Sequence, residues 1–382
     1  MTDGAGRGAG AWKGDRVTNR ELFRAAMAFE PTDRICHAEL GIWGETHERW
    51  VREGLPAGIP VCTEDVATEG PDLYDHFGVM HEITAPIDHY YWPKFEPVVI
   101  EDTSEYRLER NDRGIVLRQH KRSMSMPEWI EYPVKGRRDY EALRERLTGS
   151  IAERYPADWE RRAARMRAQQ EHPVRVWIEG FFAFPRELMG LTTFLTTLYD
   201  DPGLVGEIVT DHLQFVMRLL DRAIRDVRPD FAFIWEDMCF KNGPLLSPAM
   251  FRQFLLPAYR QITGYLRECG VPIIMVDSDG NVSRLIPLWI EGGVTALEPF
   301  EVRAGMDVTA VGARYPSLSL VGGIDKTAVA AGRAAIDREL DRVLPAMLAR
   351  GGYAPTIDHH VPPDVSLADF TYYVERVRSY RP

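Results

Sequence analysis

Four apolar runs in this chain stop abruptly at acids. Val174-Arg-Val-Trp-Ile178 meets Glu179, and Phe231-Ala-Phe-Ile-Trp235 meets Glu236 and Asp237. Val271-Pro-Ile-Ile-Met-Val276 meets Asp277-Ser-Asp279-Gly280-Asn281, and Leu318-Ser-Leu-Val321 meets Gly322-Gly-Ile-Asp325. Near-continuous apolar runs of this length suit strands buried on both faces of a parallel sheet. Helix signals separate them, and strand–helix alternation means parallel strands joined by right-handed crossovers. The expectation is an α/β fold, a (β/α)8 TIM barrel with carboxylates around the carboxyl-end mouth where such barrels keep their chemistry. A doubly wound open sheet is the alternative.

The intervening segments carry local signals. Thr18-Asn19 can cap a first helix, with Glu21 in its first turn and Leu22, Phe23, Ala26 and Met27 as its apolar stripe. Pro31-Thr-Asp33 ends it, and Arg34 to Leu40 reads as a first strand, followed by a helix over 45–52. Residues 81–126 hold three β-rich runs, at 97–102, 105–110 and 115–120, joined by turn-prone Asp102-Thr-Ser104 and Asn111-Asp-Arg-Gly114. These predict an antiparallel β insertion on the barrel. The charged stretch 139–170 predicts an outer helix pair. Later helices are expected over 203–227, from Ser247-Pro248 to Cys269, near 283–291, over 334–349 and over 367–378, with a last strand over 351–357. Residues 1–16 are glycine-rich and read as a flexible tail, leaving 17–382 as a single domain.

Composition narrows the function. The 382 residues carry a formal net charge of −11, which argues against nucleic acid or an anionic membrane as the main partner. No apolar stretch approaches the roughly 18 residues a spanning helix needs, and the start lacks a hydrophobic signal core, so a cytoplasmic protein is expected. Cys36, Cys62, Cys239 and Cys269 are scattered without a C-x-x-C pair, which fits neither a disulfide framework nor a four-thiolate zinc site. Neither a G-x-G-x-x-G nor a Walker loop occurs.

The candidate site residues follow from strand ends. Asp277 and Asp279 are one residue apart and share a side of an extended strand, either as metal ligands or a base and its partner, or as caps for the next helix. Of Glu236 and Asp237, one is expected to face the barrel axis and the other the helix layer. Lys241 and Asn242 behind them could anchor a substrate anion or fix the loop. His359 and His360 close the last strand, and His359 is preferred for the site because an imidazole can donate, accept or bind metal. Glu39 alternates with His37 to one face of the first strand, and Glu45 follows in the loop. Trp43, Tyr90, Tyr91 and Trp92 are pocket walls or plain packing. Glu179, Glu298, Glu301 and Asp325 are ligands or ion-pair partners of Arg186, Arg303 or Lys326, and Cys239 is a further ligand or an inert buried thiol. The working set is therefore Asp277, Asp279, Glu236 and His359 as catalytic groups and metal ligands. Glu39, Glu45, Trp43, Glu179, Arg186, Lys241 and Tyr91 are the substrate contacts.

Several segments resemble a known family. Leu22-Phe-Arg-Ala-Ala-Met-Ala-Phe-Glu30 with Thr32-Asp-Arg34, Leu255-Leu-Pro-Ala-Tyr-Arg260, Leu320-Val-Gly-Gly-Ile-Asp325 and Asp358-His-His-Val-Pro-Pro-Asp364-Val365 are similar to the uroporphyrinogen decarboxylase superfamily. The resemblance implies a (β/α)8 barrel and either decarboxylation or corrinoid-dependent methyl transfer, including transfer to coenzyme M. Two departures bear on the activity. The arginine-rich segment that holds porphyrinogen carboxylates is here Glu39-Leu-Gly-Ile-Trp-Gly-Glu45. Each lost arginine–carboxylate contact costs about 1.5–3 kcal/mol, so an octa-anionic substrate is not expected. The zinc methyltransferases' His-x-Cys-Gly-Asn is here Asp277-Ser-Asp279-Gly280-Asn281, a harder, oxygen-rich set. The resemblance thus implies a metal-assisted corrinoid-dependent methyltransferase acting on a small molecule, with a divalent metal, zinc or another. The corrinoid would ride on a separate protein, because the chain shows no Asp-x-His-x-x-Gly segment. The alternative is a cofactor-free decarboxylase or lyase for a small carboxylic acid, with Asp75 or Asp88 as its pocket acid. A non-catalytic binder is a third reading, and a homodimer is left open.

Overall fold

The apolar runs pair as one curled, all-parallel sheet. The computed structural model describes residues 17–60, 72–121 and 126–382; the expected tail, Cys62 and residues 122–125 of the insertion lie outside them. The strands are β1 (Ile83–Thr84), β2 (Val98–Asp102), β3 (Tyr106–Arg110), β4 (Val116–His120), β5 (Glu128–Glu131), β6 (Val174–Glu179), β7 (Phe231–Trp235), β8 (Cys239–Phe240), β9 (Gly243–Pro244), β10 (Ile273–Asp277), β11 (Ala296–Glu298), β12 (Ser319–Val321) and β13 (Tyr353–Ala354). Among the described residues the main sheet has seven strands in the order β1-β6-β7-β10-β11-β12-β13. That order never reverses along the chain, which removes the doubly wound alternative. The first-strand segment makes single parallel bridges to both ends of the sheet, Ala38 to Met80 and Ile42 to Val361. The architecture is a TIM-like parallel half-barrel.

Side chains alternate across each strand, and the two faces form two separate apolar clusters. Outward residues such as Val176, Ile178, Ala232, Ile234, Ile274, Val276, Leu297 and Leu320 pack against the helix layer. Inward residues Phe231, Phe233, Met275, Ala296, Val321 and Ala354 form the second cluster with Leu22, Phe23, Ala26 and Met27. The helix Asn19–Met27 therefore plugs the amino end of the sheet, and Thr18 and Glu21 close it with a capping box. Its basic side chains clamp the plug in place. Arg20 Nε lies 2.8 Å from Asp230 Oδ2, Arg24 pairs with the other oxygen, and the Val174 amide donates to Oδ2 at 2.6 Å. With that end closed, the open end is the carboxyl rim.

The antiparallel insertion is present with different limits. β2 to β5 form a four-stranded sheet in sequence order, separate from the main one. Within the expected span, β1 belongs to the main sheet instead, and Glu128–Glu131 adds a fourth strand beyond it. Four residues after Pro127 with only Trp129 and Ile130 apolar give too short a pattern to read as a strand. The helices Ala183–Met189 and Leu191–Asp200 were also not legible, because Pro185 and Gly190 break the run on which helix periodicity is judged. No helix among the described residues is long and apolar enough to cross a membrane.

Asp230 is the keystone of the plug, with its side chain fully buried between two arginines. Removing one partner of a buried ion pair strands the other, at about 3–5 kcal/mol. Asp230→Ala is expected to lower the unfolding free energy by about that amount in denaturant titrations; a change within ~0.5 kcal/mol, the range of ordinary surface substitutions, would contradict the clamp.

Candidate active site

Inward alternation continues past the strand ends and delivers charge to the mouth. Phe231, Phe233 and Trp235 point inward on β7, so Asp237 does too; on β10 the series is Ile273, Met275, Asp277 and then Asp279. Arg175 and Trp177 of β6 and Glu298 of β11 obey the same period. Phe233, Trp235, Asp237, Asp277, Asp279, Arg175, Trp177 and Glu298 line a cavity of about 630 Å³ together with Glu39, Trp43, Glu82, Thr356, His359 and His360.

Three titratable groups meet there. His359 Nε2 lies 3.3 Å from Asp279 Oδ2, and the Asp279 amide reaches Asp237 Oδ1 at 3.5 Å. Burial pushes the Asp237 carboxyl up, the like charge of Asp279 pushes further, and Arg186 only partly offsets both, so it titrates at about 6. Burial works against a charged His359, but the hydrogen bond and charge of Asp279 outweigh it and raise the imidazole above its usual value. Asp279 thus stands between an imidazole whose protonated form it favours and a carboxyl that keeps its proton to higher pH than an ordinary aspartate. Backbone geometry holds this arrangement. Asp237 takes φ +43, and Gly280 at φ +81 lies so close to the Cys239 carbonyl that a Cβ would sit 2.7 Å from it. The Gly280 amide also donates to Glu301 at 2.9 Å.

The expected residues divide clearly. Asp277, Asp279, His359, Glu39 and Trp43 line the mouth, and His360 joins them. Trp43 stacks on His359 at 6.2 Å and tilts against His360 at 5.1 Å, so both histidines share one wall. Glu236 is a correction. Following Ala232 and Ile234, it points outward, fully buried, and accepts hydrogen bonds from the Phe181, Phe182 and Ala183 amides at 3.0, 2.9 and 3.0 Å and from the Tyr259 hydroxyl at 2.5 Å. Its carboxylate lies so close to Gly180 that a Cβ there would meet it at 2.1 Å. Glu236 thus meets the amides at the start of helix Ala183–Met189, away from the mouth. Lys241 is exposed on the β8–β9 hairpin and Glu45 lies in the first turn of helix Gly44–Arg52; neither lines the cavity. Arg186 stands behind the wall, donating to the Asp237 carbonyl at 2.6 Å with its guanidinium 4.8 Å from the Trp235 ring.

Glu179 and Tyr91 line a second cavity of about 770 Å³ that shares Trp177 and Trp235 with the first. Glu179 accepts from the Tyr90 hydroxyl, and burial pushes its carboxyl up to about 7. His89 in the same cavity is pushed down to about 4 by burial. Arg175, Trp177, Phe233, Trp235, Glu82 and His89 were missed as site residues; the period-two spacing 175, 177, 179 and 231, 233, 235, 237 carried the signal for most of them.

The donor set does not suit a metal. With Glu236 turned outward, Asp277, Asp279 and His359 remain, and the Asp279 carboxylate is already engaged by His359. Among the described residues no three His, Cys, Asp or Glu side chains gather as ligands. Glu236 therefore stands apart from the expected partners Asp277, Asp279 and His359, which line the mouth without it.

Comparisons with known proteins agree with this fold. The family model "Uroporphyrinogen decarboxylase (URO-D)" matches residues 130–380. A solved methyltransferase from Methanosarcina mazei superposes with a TM-score of 0.62 at 14% identity, covering 95% of this chain and 99% of its own. A putative vitamin-B12-independent methionine synthase from Listeria monocytogenes gives a TM-score of 0.35 at 13% identity over 55% of this chain and 64% of its own, too little to argue from. Among curated proteins nothing matches.

Two variants separate structure from site. Glu236→Ala leaves three amides and a hydroxyl without an acceptor, so unfolding free energy should fall by roughly 3–5 kcal/mol; loss of function at wild-type stability would restore Glu236 to the active site. Asp279→Asn removes the carboxylate that opposes burial at His359. Its imidazole is then expected to titrate at lower pH than in the parent by NMR, and an unchanged titration would refute the pairing.

Proposed function

Because the chain belongs to the uroporphyrinogen decarboxylase family, we propose that it is a methyltransferase acting on a small molecule at the sheet's carboxyl-end mouth, with acid–base groups in place of a bound metal. In this reading segment 38–42 is the eighth stave of a closed barrel, bridged as it is to both ends of the sheet.

One observation favours methyl transfer over decarboxylation. Glu39, Glu82, Asp237, Asp277, Asp279 and Glu298 line the mouth against Arg175 as its one arginine or lysine among the described residues. Arg175 is itself engaged, pairing with Glu82 and donating to Thr84 Oγ1 at 2.8 Å. A carboxylic-acid substrate would enter against like charge, with Arg175 and His359 both already paired to acids. The acids weighed for a decarboxylase lie elsewhere: Asp75 pairs with His172 at 3.4 Å, and Asp88 pairs with Lys94 at 2.8 Å in the second cavity.

The chain's own groups then have distinct tasks. Asp237, titrating near 6, gives a proton to or takes one from the group that loses or gains methyl. Asp279 favours the protonated form of His359 and fixes its ring. The side chains of Asp279 and His359 are 36% and 29% exposed, so the reacting centre is open to an approaching carrier. A corrinoid on a separate protein is the methyl acceptor in this reading, supplying the electron pair for the new bond to methyl.

The test supplies reduced cobalamin and a panel of methyl donors to the purified protein. Protein-dependent growth of the methylcobalamin spectrum is expected, falling about 10²–10⁴-fold in Asp237→Asn. Carbon dioxide release from carboxylic acids without any methyl transfer would overturn the reading in favour of a decarboxylase.

A further inference from the structure

The second cavity collects hydrogen-bonding groups that the protein itself does not use. Among the described residues, His89 has no partner at either ring nitrogen and the Tyr91 hydroxyl has none. Glu179 Oε2 has none either, although its other oxygen accepts from Tyr90. These residues are 5%, 1% and 4% exposed, and all three line the cavity. Buried polar groups are nearly always hydrogen-bonded, so three unmet ones around one chamber mark a binding surface.

The antiparallel insertion brings a cation to it. Arg113 lies in the turn between β3 and β4, where Asn111 Oδ1 accepts from the Arg113 and Ile115 amides at 3.0 and 2.9 Å. The Phe95 amide donates to the Asp112 carbonyl at 2.9 Å, and Lys94 pairs with Asp112 at 3.0 Å, which ties this turn to loop 85–95. Arg154 fixes the same loop by donating to the Asp88 carbonyl at 3.4 Å and to that of Tyr90. The Arg113 guanidinium thereby stands 3.6 Å from the centre of the Tyr90 ring. Its carboxylate partner Glu187 is 3.7 Å away, beyond hydrogen-bond reach, and is shared with Arg186 at 3.6 Å. Lys94 is taken by Asp88 and Asp112, and Arg154 by backbone carbonyls. Arg113 is thus the cation of this chamber with N–H donors to spare, and the rings of Trp92, Trp177 and Trp235 complete the wall.

We infer that this chamber is a second ligand site, separate from the acidic mouth, and that it takes a small organic carboxylate with an aromatic or apolar body. The carboxylate oxygens lie on the Arg113 fork and the body lies against the tryptophans. A guanidinium presents paired N–H groups that match the two oxygens of a carboxylate. The Tyr91 hydroxyl adds a donor, as does His89, which burial pushes down to about 4 and so keeps neutral at pH 7. Glu179, pushed up to about 7 by burial, holds its proton below that pH and then does not repel an anion. Because turn and loop are already tied together, binding has little left to order. None of Arg113, His89 and Tyr91 lines the mouth, so the inference stands whichever reaction the mouth performs.

The experiment measures binding to the full chain at pH 6 by calorimetry and tryptophan fluorescence, with benzoate, benzamide, benzylammonium and inorganic phosphate as probes. Benzoate is expected to bind at least about tenfold tighter than benzamide, with benzylammonium and phosphate weaker still. Arg113→Gln, confirmed folded by circular dichroism, should bring benzoate down to the level of benzamide. Arg113→Lys keeps the charge without the fork, so it should retain only part of the preference, and it serves as the second variant should the first unfold. Benzamide, benzylammonium or phosphate binding as tightly as benzoate would overturn the inference. So would the lack of saturable benzoate binding, or a benzoate affinity unchanged in either folded variant.

Discussion

Successive side chains on an extended strand point to opposite faces, and here that geometric rule decides what each acid at the rim can do. On β7 it sends Glu236 out to the helix layer and Asp237 into the mouth, although the two are adjacent. On β10 it sends Asp277 and Asp279 inward together. The same rule divides the apolar residues into an outer layer that holds the helices and an inner one that is sealed at its amino end by the first helix. Site chemistry and fold are thus consequences of one alternation, and a single register slip would exchange them.

Electrostatics at the mouth follows from where the alternation places the charges. Glu236 is buried without conflict because four hydrogen bonds meet its carboxylate, even though burial still raises its pKa. Asp237 is met by less: its carboxylate accepts only a long hydrogen bond from the Asp279 amide, and burial with the Asp279 charge raises it to about 6. Asp279 in turn favours the protonated form of His359. Two neighbouring carboxyls therefore have opposite settings, one meeting a helix start and the other facing the mouth with a raised pKa. Arg186 connects them to the wall by gripping the Asp237 carbonyl beneath Trp235.

Much of this was legible in the sequence. The apolar runs ending in acids announced parallel strands, and the one-residue spacing of Asp277 and Asp279 announced a shared face. The reading that one of Glu236 and Asp237 must face outward was sound, but the choice of Glu236 was not. Counting the inward positions back from Phe231 and Phe233 would have settled it. Other features were beyond a single sequence. Nothing local shows that Tyr91 and Glu179 enter a chamber separate from Asp277, because their meeting depends on loop 85–95 folding over the β6 end. Lys241 looked like an anchor by proximity, yet the β8–β9 hairpin carries it out to solvent. Short elements such as Glu128–Glu131 carry too few residues for a periodic signal.

The account's central claim is that Asp237, and not Glu236, is the proton-holding acid of the mouth. Carboxyl carbon NMR of the unliganded protein across pH 4 to 8 tests it directly, and the account predicts an aspartate titrating at about 6. That signal should vanish in Asp237→Asn and persist in Glu236→Gln. A titration that survives Asp237→Asn, or that disappears with Glu236→Gln in a protein still folded, would contradict the assignment.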